Sequence, residues 1–173
     1  HYQLPRIDEI IATLQGKKWL SSMDLSNAYL QIRIHPDSQH KTSFTVPSGQ
    51  YSFRMAAFGL ANMPAVFAHL MKIVLKGVDN DKLNSYFDDI ITGTITTDEH
   101  IDQLEIMLQR LRKYGLRLKP TKCKILFNEL QILGITTNAE GTRMTNDQIA
   151  AVQNLKEPRS VKQLQRCLGL FCY

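Results

Sequence analysis

The chain has 173 residues, 43% hydrophobic and 21% charged, an ordinary globular mixture that excludes a disordered, collagenous or fibrous protein and leads us to expect a single body with a true core. The longest nearly apolar stretch, Phe58 to Leu75, is interrupted by Asn62, Pro64, His69 and Lys72, so no membrane span or targeting segment is expected. Twenty-one Lys and Arg against 16 Asp and Glu give a net charge of +5.

That charge is unevenly spread. Residues 1–100 carry 9 basic and 10 acidic side chains, and residues 101–173 carry 12 and 6. Arg110, Arg112, Lys113, Arg117, Lys119, Lys122 and Lys124 fall within 15 residues that hold no acid. Such a run attracts polyanions, nucleic acid among them, although cations also suit the end of a helix. The cysteines Cys123, Cys167 and Cys172 are odd in number and lack C-x-x-C spacing. They read as buried free thiols in a reducing compartment, not as a disulfide framework or zinc site.

In chain order, Pro5 starts a short helix with Ile7, Ile10, Ile11 and Leu14 on its apolar face and Gly16 as its stop. Trp19 to Met23 is an apolar strand that runs into Asp24. Leu30, Ile32 and Ile34 alternate with polar residues and predict a half-buried strand. Thr42–Val46 and Gln50–Met55 predict a hairpin around Pro47-Ser48-Gly49. Met63, Phe67, Leu70 and Val74 predict a helix that Gly77 ends. Leu83 to Thr94 reads as a tight antiparallel hairpin around Asp88-Asp89. Thr96 to Tyr114 is the clearest helix, with Ile101, Leu104, Leu108 and Leu111 on one face, Thr96 and Glu99 as a capping box and Gly115 as its stop. Cys123–Phe127 and Leu130–Thr136 read as a strand pair, and two helices start at Thr145 and Ser160, on either side of Pro158.

This order predicts an α+β fold in which helices back one antiparallel sheet, compatible with a split βαβ arrangement. The one expected boundary separates a body at 1–140 from a helical tail at 141–173. Both ends of the chain, His1 and the run before Tyr173, read as cut from something longer.

The chemistry gathers on three carboxylates. Asp88 and Asp89 sit between apolar arms, so their turn rises from a sheet, and Asp24 ends a different strand that can be its neighbour. Three such groups make a hard oxygen site suited to Mg²⁺. Phosphoryl transfer by two ions about 4 Å apart needs such a donor set. The five histidines, His1, His35, His40, His69 and His100, show no metal-ligand or triad spacing.

Asp24-Leu25-Ser26-Asn27-Ala28-Tyr29-Leu30-Gln31-Ile32, Phe58-Gly59-Leu60-Ala61-Asn62-Met63-Pro64, Tyr86-Phe87-Asp88-Asp89, Leu118-Lys119-Pro120-Thr121-Lys122-Cys123 and Leu133-Gly134 follow one another in the order and spacing of the reverse transcriptases. In detail the chain resembles the polymerase domain of gypsy-type LTR retrotransposons over nearly its whole length. The resemblance implies a right-hand polymerase palm with partial fingers over residues 1–140 and the start of a thumb over 141–173. It implies an RNA-directed DNA polymerase that adds dNTPs to a primer 3′-hydroxyl on an RNA or DNA template. Asp24, Asp88 and Asp89 would hold two Mg²⁺ ions, with Mn²⁺ as a possible substitute. Leu25, Tyr29, Phe58, Gly59 and Lys122 would face the incoming nucleotide, Tyr29 as the steric gate against a 2′-hydroxyl or else a core-packing ring.

Lys122 would lie near the leaving pyrophosphate or contact a backbone phosphate from the surface. Tyr86 and Phe87 would face the primer terminus, and Leu133-Gly134 would form the primer grip. The implied partners are template–primer and dNTPs, together with protease, RNase H and integrase segments elsewhere in a Pol polyprotein. The implied location is cytoplasmic, within virus-like particles, or nuclear. Ala56-Ala57 and Met63 depart from the family pattern, and the basic strands expected ahead of Leu4-Pro5-Arg6-Ile7 are missing. Two other readings remain, a non-catalytic nucleic-acid-binding remnant of a decayed element and a metal-dependent nuclease.

Overall fold

A computed structural model describes residues 6–78, 83–155 and 157–171; the helix start at Pro5, Cys172 and Tyr173 lie outside the described residues. The central feature is a four-stranded antiparallel sheet made from β1 (Trp19–Asp24), β4 (Leu83–Tyr86), β5 (Asp89–Thr94) and β6 (Lys124–Phe127), in the order β4-β5-β1-β6. Adjacent side chains on a strand point to opposite faces, and both faces of this sheet are covered. Met23 and Ile90 join Phe67, Met71, Met107 and Leu111 on one face, under α3 (Met63–Val74) and α4 (Thr97–Lys113). Leu20 and Ile91 join Ile10, Leu14, Leu130 and Ile132 on the other, under α1 (Ile7–Leu14) and β7 (Glu129–Ile132). The expected sheet backed by helices is present, and its second face is closed by a helix and a second small sheet.

Gly93 makes the approach of α1 possible. A Cβ there would lie 3.0 Å from the Leu14 side chain, 3.1 Å from Leu20 and 3.1 Å from Lys17. At the other end of the body, the Arg110 guanidinium donates to the carbonyl of Val74 at 3.2 Å, so α4 satisfies a carbonyl that α3 leaves open at its C-terminus.

Several expectations need correction. No strand runs through Leu30, Ile32 and Ile34. Asn27 turns into the left-handed region at φ 48° and Ala28–Gln31 forms a 3₁₀ turn. Ile32–Ile34 then pairs only locally with Arg54–Ala56. The alternation was real, but the Gln31 side chain is occupied elsewhere, donating to the carbonyls of Ser26 and Arg117 and accepting the Arg117 N–H.

The buried face of α4 is His100, Gln103, Met107 and Leu111, while Ile101 and Leu108 are exposed. The helix is rotated because His100 has buried hydroxyl partners that make its burial favourable. Thr96 caps α4 by accepting the Glu99 N–H at 3.4 Å. The expected pairing of Cys123–Phe127 with Leu130–Thr136 is replaced by two sheets: β6 adds to β1, and β7 pairs with β8 (Ile135–Asn138), which pairs with β9 (Gly141–Met144).

The remaining elements follow the sequence closely. β2 (Phe44–Val46) and β3 (Gly49–Tyr51) form the predicted hairpin with shorter arms. The short α2 (Pro36–Gln39) precedes it. In the tail, α5 (Asn146–Gln153) carries a full capping box between Thr145 and Gln148, and Ser160 accepts the Gln163 N–H at the start of α6 (Val161–Phe171). Cys123 and Cys167 are free and half-buried. Among the described residues, no helix is long and apolar enough to cross a membrane.

Candidate active site

The three carboxylates meet at one end of the central sheet. Asp24 closes β1 directly opposite Asp89, the first residue of β5. Tyr86 pairs with Asp89 across β4 and β5, which leaves Phe87-Asp88 as a two-residue turn. Phe87 sits at φ 50°, a conformation that bulky residues rarely hold without support. Its ring lies edge-on to Tyr86, with centroids 4.8 Å apart. The Leu25 N–H donates to the Asp88 carbonyl at 2.9 Å and ties the turn to the end of β1.

A third segment runs beside Asp24. The Lys119 N–H donates to the Asp24 carbonyl at 2.8 Å, the Ser26 N–H donates to the Arg117 carbonyl at 2.9 Å, and Leu25 bridges to Leu118. This pairing brings up Lys122, whose Nζ donates to Asp24 Oδ2 at 2.9 Å. The contact is partly dry: the Asp24 side chain is 14% exposed and that of Lys122 56%.

The electrostatics are those of crowded negative charge. Burial, then the charges of Asp88 and Asp24, push the Asp89 carboxyl above the usual range, and Lys122 opposes them. The hydrogen bond it donates to Asp24, followed by the Asp24 charge, holds the Lys122 ammonium above its ordinary value. Burial and then the charge of Asp88 push the Tyr29 phenol up as well.

Among the described residues, no three His, Cys, Asp or Glu side chains are drawn together as a ready-formed metal cage. The donor set nevertheless suits a hard divalent cation: three carboxylates at adjoining strand ends, one of them held against its ionisation by burial and then by the other two. Lys122 is the group that now offsets this charge.

The other candidates fall around this end or farther off. Tyr29 is half-buried, 5.3 Å from the Phe58 ring and 5.7 Å edge-on from Phe67, so it packs on the core and borders the site together. Phe58 is 65% exposed, and Gly59 beside it takes φ 91°. Leu25 is buried in the main core, so its side chain is not offered to any substrate. Tyr86 and Leu133 both pack against the second core cluster. Leu133 and Gly134, at φ 50° and 79°, make the tight turn from β7 to β8. Ala56 and Met63, the departures noted from sequence, are both buried, Met63 as the first residue of α3.

Sequence reasoning passed over two groups. Gln31 clamps Ser26 to Arg117 beside Asp24, and the only signal was a Gln within a supposed strand. His100 is fully buried; reading the helix as 100, 103, 107, 111 would have found it.

The reverse transcriptase (RNA-dependent DNA polymerase) family matches residues 1–137. Over 99% of its length the chain is 32% identical to the enzymatic polyprotein of soybean chlorotic mottle virus and 30% identical to the retrovirus-related Pol polyprotein from transposon opus of Drosophila melanogaster. It spans 25% and 17% of the lengths of these two relatives. Among solved structures it is similar to the foamy viral protease-reverse transcriptase in complex with dsDNA. That match has a TM-score of 0.91 and 31% identity, and covers 99% of this chain and 36% of the other. The same viral protein in complex with an RNA/DNA hybrid gives 0.86 and 32%, covering 98% and 23%.

Proposed function

The chain belongs to the reverse transcriptase family, and we propose from this membership that it catalyses template-directed addition of dNTPs to a primer 3′-hydroxyl within a gypsy-type retrotransposon Pol polyprotein. In this reading residues 1–140 are the palm with partial fingers and 141–173 begin the thumb, with β9 paired to β8 across that division. The observation that carries it is the direct pairing of Asp24 with Asp89 beside the Asp88 turn.

Asp24, Asp88 and Asp89 would hold two divalent cations, Mg²⁺ or Mn²⁺, which when bound activate the attacking hydroxyl and stabilise the leaving oxygen. The chain's own residues do the rest. Lys122 stands beside Asp24 as a protonated ammonium able to offset charge or give a proton near the leaving pyrophosphate. Tyr29, fixed between Phe58 and Phe67, presents a rigid ring to the sugar and disfavours a 2′-hydroxyl. Phe58 and Gly59 lie under the new base pair, with Leu25 contributing by its place in the backbone. Tyr86, Phe87, Leu133 and Gly134 hold the primer end. The exposed cations from Arg112 to Lys124 meet the template–primer backbone. Protease, RNase H and integrase segments accompany the domain in the parent protein, and the work is done in cytoplasmic virus-like particles.

The test is primer extension and template–primer binding measured together, on an RNA template with Mg²⁺, for the native protein and Asp24→Asn. The expected result is extension lost and binding kept in the variant. Extension that survives Asp24→Asn would refute the assignment. Binding with no extension in the native protein would favour the non-catalytic remnant, and template cleavage would favour a nuclease.

A further inference from the structure

The strand β6 does not pair evenly with β1. Leu20 lies opposite Phe127 but Ser22 lies opposite Lys124, so two steps along β1 match three along β6. The extra residue is a bulge at Leu126, which takes φ 60°. The bulge has a consequence at the site. Lys124 opposite Ser22 is the last pair of this ladder; Pro120–Lys122 then form a 3₁₀ turn while the Lys119 N–H donates to the Asp24 carbonyl, and from that turn Lys122 Nζ reaches Asp24 Oδ2 at 2.9 Å. Without the bulge β6 would slip by one residue along β1, and the turn that carries Lys122 would shift with it.

A bulge leaves one backbone N–H out of the ladder. Here the Leu126 N–H donates to Ser21 Oγ at 3.0 Å. Ser21 Oγ lies 2.6 Å from His100 Nε2, and His100 Nδ1 lies 2.9 Å from Thr94 Oγ1. Thr94 Oγ1 donates to the Thr96 carbonyl at 2.9 Å. Ser21, Thr94 and His100 are all at 0% exposure. The proton positions follow by elimination. Thr94 has given its hydrogen to a carbonyl and accepts from Nδ1, so Nδ1 carries the ring proton. Nε2 is then bare and accepts the Ser21 hydroxyl, which leaves the Ser21 oxygen aimed at the Leu126 N–H.

We propose that His100 and Ser21 are positioning residues for the site: they pin the Leu126 bulge, keep Lys124 opposite Ser22, and thereby hold in place the turn from which Lys122 reaches Asp24. The inference rests on the reading that Asp24 and Lys122 serve one reaction.

The test uses the full-length protein, an RNA template annealed to a DNA primer, and two readouts: single-turnover nucleotide addition, and amide exchange of a peptide containing Leu126. Ser21→Ala and His100→Leu should lose protection at Leu126. Because a small misplacement near reacting groups is costly, they should slow addition roughly tenfold with primer binding unchanged. His100→Gln, which keeps an acceptor for Ser21 and a donor for Thr94, should recover most of both. In a Lys122→Ala background, Ser21→Ala should cost less than about twofold, since the pair acts through that lysine.

Unchanged exchange and rate in Ser21→Ala, or an equal cost with and without Lys122, overturns the inference. Should Ser21→Ala fail to fold, the contrast between His100→Leu and His100→Gln decides it by the same readouts. Asp24→Asn separates the two failures. Extension that survives it strikes the reading of the site, while extension lost there and indifferent to Ser21 strikes only the positioning role.

Discussion

Asp24 and Asp89 are direct cross-strand partners, two carboxylates facing each other where β1 ends and β5 begins. Like charges in such positions destabilise a sheet, and the pKa of Asp89 is raised first by burial and then by the charges of Asp88 and Asp24.

The repulsion predicts a stability effect opposite to the usual one for a site residue. In EDTA, Asp89→Asn should melt higher than the native protein, by about 0.5–1 kcal/mol of stability, the size of a cross-strand charge pair. Adding Mg²⁺ should raise the native melting temperature through binding linkage, and less so in Asp89→Asn. Thermal unfolding with and without metal checks both, and a variant less stable than native in EDTA counts against the account.

Tyr29 holds its place through Phe58 and Phe67. Tyr29→Phe should keep the fold and the preference for deoxynucleotides. Tyr29→Val should lose about 1 kcal/mol of aromatic packing and incorporate ribonucleotides more readily. Denaturant melts and competing dNTP and rNTP extension measure the two effects, and unaltered sugar selectivity in Tyr29→Val would leave the ring a packing residue only.

Burial lowers the pKa of His100 below its ordinary 6.5, against a smaller upward pull from Glu99. The unfolded chain therefore binds the proton first. The stability contributed by neutral His100 is complete above pH 6.5 and is lost as pH falls through the folded pKa, by at most about 1.4 kcal/mol per pH unit. Urea melts from pH 7.5 downward should show this loss, and His100→Gln should lack it. Parallel curves for the two proteins would contradict the assignment.

Gly93 faces three side chains at 3.0–3.1 Å from any added Cβ. Gly93→Val should therefore destabilise by about 1–3 kcal/mol through overpacking between α1 and the sheet. Chemical denaturation measures this, and a neutral result would mean that Leu14 and Lys17 shift freely.

The carboxylate hairpin was legible because its signals are local: apolar arms flank Asp88-Asp89, and a two-residue turn leaves little choice of register. The ends of α1, α3 and α4 were equally local, set by Gly16, Gly77 and Gly115, which take φ from 70° to 80°. What failed was decided by distant partners. Leu30, Ile32 and Ile34 alternate like a strand, yet Asn27 and the reach of Gln31 to Arg117 turn that segment into a 3₁₀ turn. His100 lies outside the apolar face expected for α4, and only Ser21 and Thr94, brought in by the sheet, make its burial favourable. The pairing of β6 with β1 required knowing that the basic segment runs back beside Asp24.

The basic run from Arg110 to Lys124 looks uniform on paper, but two of its members are already committed. Arg110 closes the end of α3 and Lys122 answers Asp24. Arg112, Lys113, Arg117, Lys119 and Lys124 are exposed, and no ion pair among the described residues involves them. Counterion release from a duplex would thus be driven by five charges from this run and not seven, a contribution to the salt slope of about −4 to −5. The fold has divided one stretch of cations between holding itself together and meeting a polyanion.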